Sequence, residues 1–260
     1  MKEQRRLNYA FAVGRIKALE KYLLPQKLFI EALEATALED SLKIIYEAGN
    51  WSEEMIQARK PEDIDNLAHQ EMEKVNRLVA ELVESEVLSF FQARKNLRDL
   101  WLKAQKTGYP FLVNYARHRL DLANIKTFLR FNYRGETADN LEKNLLPGGF
   151  IEPRIFKMAY GQPWADLYPL LMKTDYGWLW EKSVLALEEQ NSFIVMEREI
   201  ENFLIRLWRR AREITFGPEP VLAYALARLH EIDLVRLVII GRMLHLPVEL
   251  IRARLSETYV

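Results

Sequence analysis

Cysteine is absent from this sequence of 260 residues, which removes disulfide frameworks, thiolate nucleophiles and cysteine-based zinc sites together. A small secreted scaffold is therefore not expected. An excess of either charge is also missing: 37 basic residues face 37 acidic ones, a balance that argues against a general polyanion binder. Long apolar runs are lacking too. Crossing a bilayer takes about 20 consecutive mainly apolar residues, and the most apolar stretch, LVRLVIIGRMLHLPVELI, carries Arg236 and Arg242 within that length. The first 24 residues start basic, but Arg15, Lys17, Glu20 and Lys21 interrupt any apolar core of signal-peptide type. A cytoplasmic location is the default expectation, and the chain is not expected to span a membrane. Glycine and proline number ten each, too few for a collagen-like or low-complexity chain.

What is present is helical periodicity in a composition that is 49% hydrophobic. Val221, Leu222, Ala225, Leu226, Leu229, Ile232, Val235, Val238 and Ile239 fall three and four residues apart, as one apolar helix face requires. Phe111, Leu112, Tyr115, Leu122, Ile125, Phe128 and Leu129 repeat that pattern, and so do Met72, Val75, Leu78, Val79, Leu82 and Val83. No stretch alternates at period two for long enough to make a strand. Breaks cluster at Pro25, Gly49, Pro61, 108–110, 147–149, 161–163, Gly177, 217–220 and Pro247. The run from Asn66 to Lys106 holds neither Pro nor Gly, so one long helix, or a helix with a single bend, is expected there. Pro110 and Pro220 stand where a first helical turn accepts proline. The fold class expected is all-α.

The chemistry also recurs along the chain. Laying Tyr109 onward over Glu219 onward pairs Pro110 with Pro220, Leu112 with Leu222, Asp121 with Glu231, Ile125 with Val235, Lys126 with Arg236 and Leu129 with Ile239. Upstream, KYLLPQKLFIEAL is similar to NLLPGGFIEPRIF. Two related helical units in tandem are expected, 1–140 with the Asp121/Lys126 helix and 141–260 with the Glu231/Arg236 helix. Five residues turn a helix by about 500°, so Asp121 and Lys126 lie roughly 140° apart and cannot pair along one face. Their partners belong to other helices or to solvent. Charge is segregated as well: fifteen acidic against five basic residues between Glu31 and Glu86, but ten basic against two acidic between Arg94 and Arg134. Such blocks either form two differently charged surfaces or intermingle as solvated faces after folding.

Sites for bond-making chemistry do not emerge. His69, His118, His230 and His245 form no HExxH, and none has Glu three residues before it as a carboxylate-bridged metal bundle requires, so no metal is expected. His118 could reach Asp121 one turn on, although a surface or capping role is the simpler expectation. The glycines form neither GxxxxGK[ST] nor GxGxxG, no serine lies in GxSxG, and no cofactor is expected. The pairs Glu53-Glu54 and Glu188-Glu189 suit helix starts better than acid–base work. RLWRRAR, Arg206 to Arg212, is the one dense basic cluster with an aromatic inside; its acidic neighbours and the neutral whole favour an acidic protein partner over nucleic acid. Trp51, Trp101, Trp164, Trp178, Trp180 and Trp208 read as core or interface anchors.

The closing stretch FGPEPVLAYALARLHEIDLVRLVIIGRMLHLPVELIRARLSETYV, residues 216–260, resembles the carboxy-terminal signature of a V-type and A-type ATPase component, the one known as C in prokaryotes and d in eukaryotes. YARHRLDLANIKTFLRFNYRG, 115–135, is similar to that family's recurring helix motif, in which an acidic residue precedes Asn and Lys before an Arg; LLPGGF and YAFAVGRIKALEKYLL fit as well. The resemblance implies an all-helical, funnel-like or open array of related units, peripheral on the cytoplasmic side of the membrane. By that resemblance it would couple the rotor shaft to the proteolipid ring in proton or sodium transport while performing no catalysis. Its partners would be the central-shaft subunits and the ring, with no nucleic acid and no small-molecule substrate. Asp121, Asn124, Lys126, Arg130, Glu231 and Arg236 would be motif positions of structural or interface role. The chain departs from the family in having two repeats where three are usual. It also reads Ala227, Arg228, Leu229, His230 before Glu231 where Ala-Lys-Glu is usual. A helical protein-interaction scaffold unrelated to ATPases is the alternative reading.

Overall fold

The structure, a computed structural model, describes residues 2–163, 169 and 171–260, with side chains from Arg5 onward; Trp164 lies outside the described residues. Among them all regular structure is helical: α1 (Lys2–Leu7), α2 (Ala10–Glu20), α3 (Gln26–Glu34), α4 (Leu38–Ala48), α5 (Glu54–Gln57), α6 (Pro61–Leu82), α7 (Ser85–Gln92), α8 (Leu97–Thr107), α9 (Pro110–Arg134), α10 (Ala138–Asn144), α11 (Pro153–Ala159), α12 (Gly177–Gln190), α13 (Ile194–Arg210), α14 (Glu219–Met243) and α15 (Val248–Arg254), with short 3-10 turns at 93–95 and 211–213. The fold is all-α. Pro110 and Pro220 both sit in first turns, where a missing N–H goes unnoticed.

The one long or singly bent helix expected over 66–106 is instead three. Backbone at Val83 is extended after α6, and the Asn96 side chain accepts hydrogen bonds from the Arg98 and Asp99 N–H groups, capping α8. A capping side chain starts a new helix without help from Pro or Gly.

The chain forms two compact units. Unit 1 joins residues 1–84 to 197–260, and unit 2 is 85–196; contacts thus divide the chain at other places than the sequence halves 1–140 and 141–260. In unit 1, α14 packs along α6 and against α2, α3 and α4. Most of its residues are buried, Val221, Ala225, Ile232, Val235, Val238 and Ile239 to completion, and only a narrow edge with Asp233 and Arg236 meets solvent, so this helix of 25 residues becomes the axis of the unit. Phe29, Leu42, Ile45, Met55 and Ile64 fill the layer beside it. In unit 2, α9, also 25 residues, packs against α8, α10 and α11. Phe128 on α9 meets the rings of Phe156, Tyr160 and Trp180 at 5.7, 5.9 and 5.8 Å between centroids, a range where tilted aromatic pairs attract.

Segment 255–260 of unit 1 is extended yet mostly buried, with Ser256 fully enclosed. Glu257 accepts hydrogen bonds from Arg206 (2.9 Å) and Arg209 (2.8 Å), and Arg254 forms a two-pronged pair with Glu201 at 2.6 and 2.9 Å. The basic cluster of residues 206–212 is in this way partly consumed inside the unit. His230 Nε2 lies 3.0 Å from the Glu257 carbonyl, which can only accept, so the ring carries its proton there.

Burial lowers the His230 pKa below its ordinary value. A lowered histidine contributes stability above the unfolded value of about 6.5 and loses it as pH falls through that value. The melting temperature is therefore expected to fall between pH 7.5 and 5.5 in the parent chain, and to fall less in His230→Gln; thermal unfolding followed by circular dichroism at both pH values reads the difference.

Candidate functional site

Three polar residues on α9, Arg117, Asp121 and Asn124, lie four and three residues apart and so share one face. Together they grip the segment 146–151. Asn124 donates from Nδ2 to the Leu146 carbonyl and accepts from the Leu146 N–H, both at 2.8 Å. Asp121 accepts from the N–H groups of Phe150 (2.8 Å) and Ile151 (3.0 Å). Arg117 donates to the Gly149 carbonyl at 3.0 Å and lies over the Phe150 ring at 3.9 Å. A turn that must bury its backbone thereby has its polar groups satisfied by side chains of the helix beneath.

The Asp121 carboxylate is completely buried. It also accepts from the Tyr176 hydroxyl at 2.9 Å, and His118 Nδ1 stands 2.6 Å from the same hydroxyl. A hydroxyl that gives its proton to the carboxylate accepts from the ring, which places the His118 proton on Nδ1. The surface role expected of His118 is thus corrected: it is buried and reaches Asp121 through Tyr176. Desolvation raises the Asp121 pKa despite the donors from Ile151, Phe150 and Tyr176, and burial together with the Asp121 charge pushes the Tyr176 phenol up. Gly149 explains itself by space, for a Cβ there would lie 2.0 Å from Asp121 Oδ1.

The equivalent register of α14 holds Glu231, also buried, which accepts from the Leu24 N–H at 2.5 Å. Leu24, like Leu146, is the second leucine of a Leu-Leu-Pro segment. Here the surroundings are ionic. Arg228, one turn before, pairs with Glu231 and reaches Glu71 of α6 at 2.8 Å; all three are nearly inaccessible. Its guanidinium lies 4.9 Å from the Trp51 ring centre. Lys74 meets Glu71 at 2.6 Å and offsets the second negative charge. Burial raises the Glu231 pKa against the pull of Arg228, while Arg228 is held charged by Glu231 and Glu71 although burial opposes it. Beside this triad opens a cavity of about 310 Å³ whose lining mixes Arg15, Lys74, Arg77 and Arg228 with Glu71 and Glu81.

Of the remaining motif residues, Lys126 and Arg130 are half-buried on α9, Arg130 lying 5.6 Å from the Phe193 ring centre. Arg236 pairs with Asp65 of α6 at 2.7 Å and with Asp233 on its own helix at 3.8 Å. Of the motif residues, Asp121, Asn124, Lys126 and Arg130 thus belong to unit 2 and Glu231 and Arg236 to unit 1, and only Asp121 and Asn124 hold the same segment. Arg117, Tyr176, Glu71 and Gly149 escaped the sequence reading. Their one signal was the spacing of Arg117, Asp121 and Asn124 on a helix otherwise packed with apolar side chains.

The sequence model of the ATP synthase (C/AC39) subunit family matches residues 93–254, which include α8, α9 and α14 with Asp121, Arg228 and Glu231 but not Leu24, Trp51, Glu71 or Lys74. The chain belongs to that family. It is similar to the C subunit of the V-type sodium ATPase of Enterococcus hirae, at 27% identity over 155 residues, 60% of this chain and 47% of that protein. The matched part thus spans about half the length of that relative. No helix among the described residues is long and apolar enough to cross a membrane, and the described residues hold no group of three or more His, Cys, Asp or Glu placed to bind a metal ion.

Both clusters generate tests by urea unfolding. Asp121→Ala strands the buried Ile151 N–H, the part-buried Phe150 N–H and the buried Tyr176 hydroxyl, and is expected to cost about 3 kcal/mol or more. Gly149→Ala is expected to be costly alone yet much cheaper in the Asp121→Ala background, because the atom it would strike is gone; additive costs would refute the steric account. In unit 1, Arg228→Met should cost about 3–5 kcal/mol by leaving two buried carboxylates facing each other. Adding Glu71→Gln and Glu231→Gln should recover much of that loss.

Proposed function

We propose that this chain is a non-catalytic connector of a rotary V/A-type ATPase, joining the central shaft to the membrane proteolipid ring and carrying torque between them. Membership of the C/AC39 family carries this reading. On it, the chain sits peripherally on the cytoplasmic side of the membrane, its partners are shaft subunits and ring, and the moving ion is chosen by other subunits.

The site geometry supports a mechanical role. A residue that works on substrate needs an accessible reacting atom, whereas the polar atoms of Asp121, Asn124 and Glu231 are engaged with backbone and neighbouring side chains. The six motif residues then act as internal fasteners or interface positions: Asn124 and Glu231 fix Leu-Leu-Pro segments to long helices, Asp121 fixes the backbone at 150–151 that follows one of them, and Lys126, Arg130 and Arg236 brace the helix surfaces. Two compact units, each built on a helix of 25 residues, are suited to transmit force because close-packed interiors deform little.

The purified chain is expected to hydrolyse no ATP and, when tagged and recovered from gently solubilised native membranes, to bring shaft and ring subunits with it. Stoichiometric ATP turnover by the homogeneous chain, or recovery without any rotary ATPase subunit, would count against the connector reading.

A further inference from the structure

The charge blocks noted in the sequence fall in different compact units. Unit 2 carries fifteen basic and twelve acidic residues, and its basic excess is concentrated on α8 and α9. Most of the acidic block lies in unit 1, where Arg5, Arg15, Arg236 and Arg252 each meet a carboxylate on another element. Around α8 the pattern is different. Lys95, Arg98 and Lys106 are exposed, and among the described residues none has a carboxylate within ion-pair reach.

Arg98, Leu102 and Lys106 follow one another at intervals of four, which sets them in a line about 12 Å long on one helix face, with Lys95 just ahead of it. Leu102, at the middle, is 57% exposed. Helix stability accounts for Lys106, which stands in the last turn where a cation is favoured, but not for the rest of the line. Lys95 and Arg98 stand at the start of α8, the positive end of its dipole, where a cation is unfavourable by a few tenths of a kcal/mol. Asp99, by contrast, fits that end and is explained by the helix alone.

We propose that Lys95, Arg98, Leu102 and Lys106 form a docking surface for an acidic amphipathic helix of a partner protein. Resting on the connector reading above, the partner is a shaft subunit of the same complex. A helix with carboxylates about two turns apart and an apolar side chain between them mirrors the line, each cation receiving a carboxylate and Leu102 an apolar neighbour. An anionic lipid surface fits less well, because it would press its phosphates against the exposed Asp99. A helix can instead place a neutral or basic residue there.

The test uses the full chain and purified shaft subunits of its own complex, with affinity measured by calorimetry at about 50 and 200 mM salt. Arg98→Glu with Lys106→Glu is expected to weaken binding at least about tenfold at low salt and to flatten the salt dependence. Leu102→Ala should weaken binding about threefold or more with the salt dependence retained. Lys173→Glu, another exposed cation of unit 2, should change little. Parent chain that binds shaft subunits while the double reversal binds equally well overturns the docking surface and leaves the connector reading standing. Parent chain that binds no shaft subunit overturns the connector reading itself. Loss of binding to phosphatidylserine vesicles in the double variant, with shaft affinity unchanged, would reassign the line to lipid.

Discussion

The structure depends on one recurring interaction: a carboxylate buried at the middle of a long helix that takes the N–H groups of a segment lying across it. Asp121 holds Phe150 and Ile151, and Glu231 holds Leu24. Packing a Leu-Leu-Pro segment against a helix buries its leucines, but it also takes backbone donors out of water. Each donor left unmade costs about 1–3 kcal/mol. An acceptor bearing charge makes a stronger bond than a neutral one, so a single acidic side chain can anchor the crossing segment and fix its register on the helix.

Burying that charge has its own cost, and the two units meet it differently. In unit 2 the Asp121 carboxylate is surrounded by neutral donors, two backbone N–H groups and the Tyr176 hydroxyl, itself oriented by His118. In unit 1 the corresponding carboxylate leans on Arg228, which must also serve Glu71. The register position one turn before the acid explains the contrast: it is His118 in one helix and Arg228 in the other. Where the cation is present the neighbourhood acquires a second acid; where it is absent a phenol suffices. Buried ion networks of this kind add little net stability but penalise any other packing, because every alternative strands a charge.

Much of this was legible in the sequence. Apolar spacings of three and four announced an all-α chain, the prolines at 110 and 220 marked two helix starts, and laying one helix over the other singled out Asp121 and Glu231. Three features were hidden for physical reasons. The breaks at 83–84 and 93–96 are marked by an extended residue and an Asn cap, which are weaker signals than Pro or Gly. Joining 1–84 with 197–260 needs contacts across more than a hundred residues, which no local pattern encodes. Tyr176 and Glu71 are ordinary residues in their own segments and become partners of the motif acids only through tertiary packing.

The same reasoning bears on what the chain can do. Where a polar group is buried here, its bonding capacity is largely spent on neighbouring chain, as with Asp121, Asn124 and Glu231. Such groups define shape and resist deformation; they are poorly placed to meet anything outside. Recognition must then fall to groups whose bonding capacity is still open, and on α8 those are cations aligned with an exposed leucine, two of them at the helix end least favourable to a positive charge. A protein that spends its buried charges on its own packing and keeps a surface line of charge uncompensated is organised to be gripped, which is what the proposed connector role requires.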